Sequence, residues 1–201
     1  YYTGFARFDS LHDFQRDQKM ILIMQTWREC IADEDVLIVK YEGTKEIPKT
    51  NYFRHWNAFL KDSKLEVLAE NYGVQFIFYR HRNMQKYMQY FPQSRKYVKI
   101  VSSKNWDIQE LLKKASLMIT DYSSVFFDFV YMKKPVIFYQ FDYENFRKGQ
   151  YGEGDFSYQN NPFGDRATKK EEVFGLVEEY IEKDFVVSAS YLQAHEKYFR
   201  L

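Results

Sequence analysis

The chain alternates short, wholly apolar runs with longer segments of helical spacing, and that alternation restricts it to a small set of folds. Met20-Ile21-Leu22-Ile23-Met24 and Pro135-Val136-Ile137-Phe138-Tyr139 are continuous apolar runs, the pattern of strands covered on both faces of a parallel sheet. Val74-Gln75-Phe76-Ile77-Phe78-Tyr79 is rich in aromatic and β-branched residues, and 97–101 and Leu117–Thr120 complete a set of five predicted strands. Between them the spacing predicts a helix from Asn51 as N-cap to Gly73, broken near Ser63, and a second over 84–91. A third is capped by Asp107 and runs through Ala115, and a fourth runs from Ser123 through Tyr131. Strands alternating with helices build βαβ units, so the expected fold is α/β: one domain, 1–201, around a doubly wound, Rossmann-like parallel sheet. Two final helices, roughly 169–183 and 187–200, are expected to pack back on that sheet. The stretch 141–165 holds Gly149, Gly152, Gly154, Asn161, Pro162 and Gly164 and reads as a long loop.

Composition removes several classes. With 45% hydrophobic residues and only 8 Gly and 4 Pro in 201, the chain is neither disordered nor of low complexity. Its single cysteine, Cys30, excludes an internal disulfide framework and any multi-cysteine zinc or iron–sulfur site. The apolar runs are far shorter than the ~20 residues a spanning helix needs, so a soluble or at most peripheral protein is expected. Net charge is +1, which argues against a generic nucleic-acid binder, but the charge is unevenly spread. From Asn71 to Trp106 there is no acidic residue, while Arg80, Arg82, Lys86, Arg95, Lys96, Lys99 and Lys104 supply seven cations. One reading of that stretch is an anion-handling region. The alternatives are docking to an anionic membrane surface, or a solvated face for Lys86, Arg95 and Lys96. The chain starts without a methionine or signal pattern and stops inside an amphipathic pattern, as an excised domain would.

The strongest chemical signal lies between Leu117 and Asp142: strand, polar turn with Thr120-Asp121-Tyr122-Ser123-Ser124, helix with Asp128, then strand. Two serines at a helix N-terminus meet unpaired backbone N–H groups and the positive end of the helix dipole, which together suit an anion. Asp128, four residues after Ser124, falls on the same helix face, where a carboxylate can accept hydrogen bonds from a ribose. The plainer alternative makes Ser123 an ordinary N-cap and Asp128 an exposed helix residue.

This segment resembles the C-terminal signature of the CDP-glycerol glycerophosphotransferase family, bacterial enzymes that polymerise glycerol phosphate into teichoic-acid or capsular backbones. Gly4-Phe5-Ala6-Arg7-Phe8-Asp9-Ser10-Leu11, Ile21-Leu22-Ile23-Met24-Gln25-Thr26-Trp27-Arg28 and Tyr151-Gly152-Glu153-Gly154-Asp155-Phe156 with Phe163-Gly164 resemble further family segments, in family order. The resemblance implies the nucleotide-binding C-terminal lobe of a two-lobed GT-B enzyme, the acceptor lobe lying outside this chain. It implies that Ser123, Ser124, Thr26 and Arg28 hold the diphosphate of CDP-glycerol, Asp128 the ribose, and Ser102, Ser103 and Trp106 the base. His81, leaving a buried strand between Arg80 and Arg82, corresponds to a family histidine that contacts the diphosphate; the flanking arginines add charge there. Flanking cations lower the affinity of His81 for a proton and bound diphosphate raises it, so His81 is expected to donate a proton only with donor bound. Proline commonly follows this histidine in the family, and Arg82 stands here instead.

The reaction so implied is attack of an acceptor hydroxyl on the β-phosphorus of CDP-glycerol with release of CMP, the acceptor being polyglycerophosphate or a lipid-linked primer. The general base, a histidine of the acceptor lobe, would be absent, so this chain is expected to bind donor without turnover. No cofactor is called for by the residues, which leave the need for a divalent metal open; the expected location is cytoplasmic, at the inner face of the bacterial membrane, and no nucleic-acid partner is expected. Two other readings stand beside it. One is a GT-B glycosyltransferase or epimerase lobe using a UDP-sugar. The other is a receiver-like domain with Asp121 as phosphoacceptor, which Gln25-Thr26-Trp27-Arg28 disfavours by supplying no second acidic cluster. His12, His55 and His195 read as surface or core residues. The aromatics of 141–163 read as a satellite cluster and a surface for the missing lobe, or as the wall of an acceptor channel.

Overall fold

In a computed structural model of the chain, residues 6–12, 14, 16–28, 31, 46–80, 84, 87, 89–149, 157–158 and 163–199 are described. Six strands, β1 (Asp17–Met24), β2 (Gln75–Tyr79), β3 (Val98–Val101), β4 (Ala115–Thr120), β5 (Val136–Tyr139) and β6 (Asp165–Ala167), form one sheet in the order β3-β2-β1-β4-β5-β6. Every pairing is parallel, and the order is that of a Rossmann sheet. The helices are α1 (Asn51–Leu60), α2 (Ser63–Tyr72), α3 (Ile108–Lys114), α4 (Phe126–Tyr131), α5 (Tyr143–Gly149), α6 (Lys170–Glu182) and α7 (Ala189–Tyr198).

Alternation along each strand sorts the core into two faces. On one, Ile21 and Ile23 of β1, Phe76 and Phe78 of β2 and Ile119 of β4 pack on Tyr52 and Trp56 of α1, Leu68 of α2 and Phe174 of α6. On the other, Leu22, Met24, Ile77, Met118 and Phe138 pack on Leu111 of α3, Phe126 and Phe129 of α4 and Ala194 of α7. Both faces of the central strands are therefore covered, which is why those strands carry unbroken apolar runs.

The punctuation explains most boundaries. Thr50, not Asn51, caps α1, its hydroxyl accepting from the Phe53 amide at 3.3 Å. The Asp62 carboxylate caps α2, and Gly73 ends it in the left-handed region at φ +68°, a conformation that favours glycine. Asp107 caps α3 by accepting from the amides of Gln109 and Glu110.

Two expectations need correction. The helix after β4 starts at Phe126 rather than Ser123, because the amides of Phe126, Phe127 and Asp128 bond the carbonyls three residues back, of Ser123, Ser124 and Val125. That makes a tight turn ahead of the helix. The stretch 141–165 is not loop throughout: α5 and β6 lie within it, so the sheet has six strands instead of five. Of the helix expected over 84–91, residues 85, 86 and 88 lie outside the described residues, and Met84, Tyr87 and Phe91 join the first core face. The two C-terminal helices, α6 and α7, lie one on each face of the sheet.

Candidate functional site

The strand order reverses at β1, whose neighbours are β2 on one side and β4 on the other. Met24 at the end of β1 is level with Thr120 at the end of β4 and with Tyr79 at the end of β2. The chain leaves β1 toward α1 on one face and leaves β4 toward α4 on the opposite face. The connections part beyond these carboxyl ends, the usual ligand position of open α/β sheets.

The turn after β4 supplies Ser123 and Ser124. Ser123 is buried, and its Oγ accepts from the Val125 amide at 3.4 Å within the turn; the N-cap position of α4 is Val125, so Ser123 is not the helix N-cap of the plainer reading. Ser124 beside it is exposed. Asp128 is not the exposed helix residue of the plainer reading: it is buried, and its carboxylate pairs with Arg7 of the N-terminal turn at 3.1 Å. Burial raises the Asp128 carboxyl above the usual carboxylate range, with Arg7 opposing the shift.

Arg28 is placed differently from a phosphate ligand. Its Nε donates to Asp142 Oδ2 at 3.0 Å and its Nη1 to the Thr26 carbonyl at 2.9 Å, while Nη2 reaches both Asp142 and Asp121 at 3.0 Å. Three aromatic rings, of Tyr52, Tyr122 and Phe146, lie about 5 Å from its guanidinium carbon. Burial works against the Arg28 charge, and Asp142 and Asp121 outweigh it, so the guanidinium pKa is raised. Its fork faces inward, toward two carboxylates. Asp121 Oδ1 accepts from the amides of Thr26 and Tyr122, each at 2.7 Å. A wholly buried carboxylate with those partners is no phosphoacceptor, which removes the receiver-like reading. Thr26 lies just past the end of β1; its amide is taken by Asp121, and its Oγ1 is buried with no hydrogen-bond partner.

On the β2 side, Arg80 is half-buried at the strand exit; its amide donates to the Val101 carbonyl at 3.1 Å, and its Nε is buried without a partner. His81 and Arg82 lie outside the described residues, so of the three cationic positions only Arg80 is placed. After β3, the Ser102 carbonyl accepts from the amides of Asn105 and Trp106 at 3.1 and 3.2 Å in a tight turn. That turn leaves Ser103 and Trp106 exposed, Trp106 by 40%. The seven-cation stretch is partly structural: Arg95 pairs with Glu66 at 3.1 Å and donates to the Leu60 carbonyl, and Lys96 lies over the Tyr97 ring.

The late aromatics turn inward. Phe146 stacks on Tyr122 with centroids 3.8 Å apart, and Tyr158 and Phe163 are buried in the same core face; Tyr151 and Phe156 lie outside the described residues. Asp142, Gln140 and Tyr52 went unnoticed as site residues in the sequence. The available signal was polar residues at successive strand exits, Arg28, Asp121 and Asp142, whose mutual approach only the sheet order reveals. Among the described residues no group of three His, Cys, Asp or Glu side chains could hold a metal, and no helix is long and apolar enough to cross a membrane.

Residues 5–201 match the family described as CDP-Glycerol:Poly(glycerophosphate) glycerophosphotransferase. The chain belongs to that family. It is similar to the minor teichoic acid biosynthesis protein GgaB of Bacillus subtilis, with 29% identity over 202 residues, 98% of this chain and 21% of GgaB. A teichoic acid poly(glycerol phosphate) polymerase of the same organism is 33% identical over 95 residues, 46% of this chain and 12% of the polymerase. Among solved structures, the wall teichoic acid polymerase TagF superposes with a TM-score of 0.58 at 22% identity, covering 94% of this chain and 42% of that one. A Listeria monocytogenes protein described as a UDP-N-acetylglucosamine 2-epimerase reaches 0.50 at 14% identity, over 96% of this chain and 42% of that one. Both likenesses concern the fold alone. The chain spans about a fifth of the length of GgaB and about two fifths of TagF.

Proposed function

We propose that this chain is the donor-binding lobe of a glycerophosphotransferase that transfers glycerol phosphate from CDP-glycerol to a teichoic-acid or capsular polymer. The observation that carries the reading is the turn bearing Ser123 and exposed Ser124 at the switch point of the sheet, in a chain of this family. A solved TagF complex carries CDPG in its description, which supports the same nucleotide here.

In this reading Ser124 and Ser123 hold the diphosphate from the β4 side and Arg80, with Arg82, from the β2 side. Asp128, released from or shared with Arg7, accepts from the ribose, and Ser102, Ser103 and Trp106 border the base. An acceptor hydroxyl attacks the β-phosphorus in line; the new bond is acceptor oxygen to phosphorus, and the bond to the bridging oxygen of the departing CMP breaks. His81 gives its proton to that leaving phosphate, and the acceptor proton goes to a base on a second lobe. Such transfer depends on positioning and charge neutralisation, so this lobe alone binds the nucleotide without turning it over. Exposed Lys99 and Lys104 add attraction to an anionic membrane surface, each worth about 1 kcal/mol.

Calorimetric titration with CDP-glycerol, CDP, CDP-ribitol and a UDP-sugar tests the assignment. Binding of the cytidine compounds, weakened by Ser124→Ala and by Asp128→Ala, is expected. Preference for the UDP-sugar, or indifference to both substitutions, overturns it.

A further inference from the structure

We infer that Asp142 is a positioning residue of the nucleotide site: acting through Arg28, it fixes the loops after β1 and β4 in the arrangement that binding requires. The inference rests on the donor-lobe reading and adds to it a residue that does not touch the nucleotide.

Except for Arg166, which lies in β6, every group in the network lies beyond a strand end, where the sheet does not need it. Asp142 holds Arg28 through Nε and Nη2, at 3.0 to 3.1 Å, in the side-by-side geometry that only a guanidinium supplies. Arg28 in turn grips the Thr26 carbonyl and Asp121. Asp121 joins the two loops by accepting from one amide of each, Thr26 and Tyr122. The Tyr122 hydroxyl closes the circuit by donating to Asp142 Oδ1 at 3.0 Å. Gln140 extends it, its Nε2 donating to the Asp121 carbonyl at 3.1 Å and its Oε1 accepting from Arg166 Nε at 2.8 Å. Loops after β1, β4 and β5, and β6 itself, are thereby tied together.

Stability alone is a poor account of this construction. Two carboxylates and one guanidinium, each at most 7% exposed, carry a large desolvation cost, and apolar packing of equal volume is often as stable. What the network supplies is a fixed geometry at Tyr122, the residue immediately before Ser123 and Ser124. The amides of Thr26 and Tyr122 are engaged by Asp121 and so cannot serve an anion, which leaves recognition to groups whose position depends on the network. Arg28 affects the diphosphate through this network rather than by contact.

The test uses the 201-residue chain, its Asp142→Asn and Ser124→Ala variants and the double variant. Its readouts are calorimetry with CDP, circular dichroism and amide hydrogen exchange. For Asp142→Asn the expected result is a native spectrum with a dissociation constant raised by about tenfold or more. Exchange should quicken at Thr26 and Tyr122 but not at Leu22 or Ile119 in the sheet. Losses in the double variant should be smaller than the sum of the single losses, as for coupled sites. A lower melting temperature with unchanged affinity and unchanged exchange at Thr26 and Tyr122 makes Asp142 merely structural and overturns the inference, as does strict additivity. Wild-type chain that binds no CDP, with Asp142→Asn still showing the exchange pattern, overturns the donor reading instead and upholds the brace. Should Asp142→Asn not fold, Tyr122→Phe removes one hydroxyl from the same circuit and carries the same readouts.

Discussion

Arg28 stands where the fold and the site share a side chain. Read from sequence, an arginine four residues past a buried strand suits a phosphate; in the structure its partner is Asp142, 114 residues away. Nothing local in the sequence announces that pairing, because it arises from β5 lying one strand beyond β4. Ser123 and Ser124 were legible, since a polar turn after a buried strand has one place to go. Asp128 was half legible: its place in the helix after β4 was readable, but Arg7, which pairs with it, comes from the far end of the chain. Arg28→Met leaves Asp121 and Asp142 as uncompensated buried carboxylates, and the expected loss of stability is about 3–5 kcal/mol. Urea denaturation followed by circular dichroism measures it. Arg28→Lys should recover little, because a single ammonium cannot span the fork.

At the scale of elements, strands with unbroken apolar runs and helices with clear caps were readable, and short pieces bound by tertiary contacts were not. β6 is three residues long, too short for any periodicity, and owes its place to Gly164 just before it. A Cβ at Gly164 would run into the Val136 carbonyl of β5, so glycine here serves close approach of two backbones. Overpacking of this kind costs about 1–3 kcal/mol. Gly164→Ala is therefore expected to lower the urea midpoint and to quicken amide exchange at Ala167 and Gln140, whose amide donates to the Ala167 carbonyl. The α5 helix was hidden by glycines around it, although Phe146 buries itself and Arg147 and Lys148 lie in its last turn. At α1 the cap belongs to Thr50, one residue before Asn51, and Thr50→Ala should cost about 1 kcal/mol of stability.

The whole molecule carries a net charge of +1, but its response to pH follows from where individual groups are buried. α7 returns the chain to the face opposite α1 and lays His195 against the end of α4, Nε2 3.2 Å from the Tyr131 carbonyl and Nδ1 buried without a partner. Burial lowers the His195 pKa below its usual 6.5; the Tyr131 carbonyl opposes that and Lys133 adds to it. With the folded value lower, the unfolded chain binds a proton more readily, so the contribution of His195 is full above pH 6.5 and lost as pH falls through the folded value. Asp62, held down by Lys170 and the Lys64 amide against burial, loses its contribution only in the lower, carboxylate range. Asp121 and Asp128, raised by burial, act with the opposite sign. The wild-type profile sums these effects, so the histidine is isolated by difference. His195→Phe keeps an aromatic ring beside Phe199, 5.0 Å away in the wild type, and removes the proton. Melting temperatures measured from pH 7.5 down to 5.5 should fall more steeply for wild type than for His195→Phe, whereas parallel profiles would mean that protonation of this helix contact does not govern acid stability.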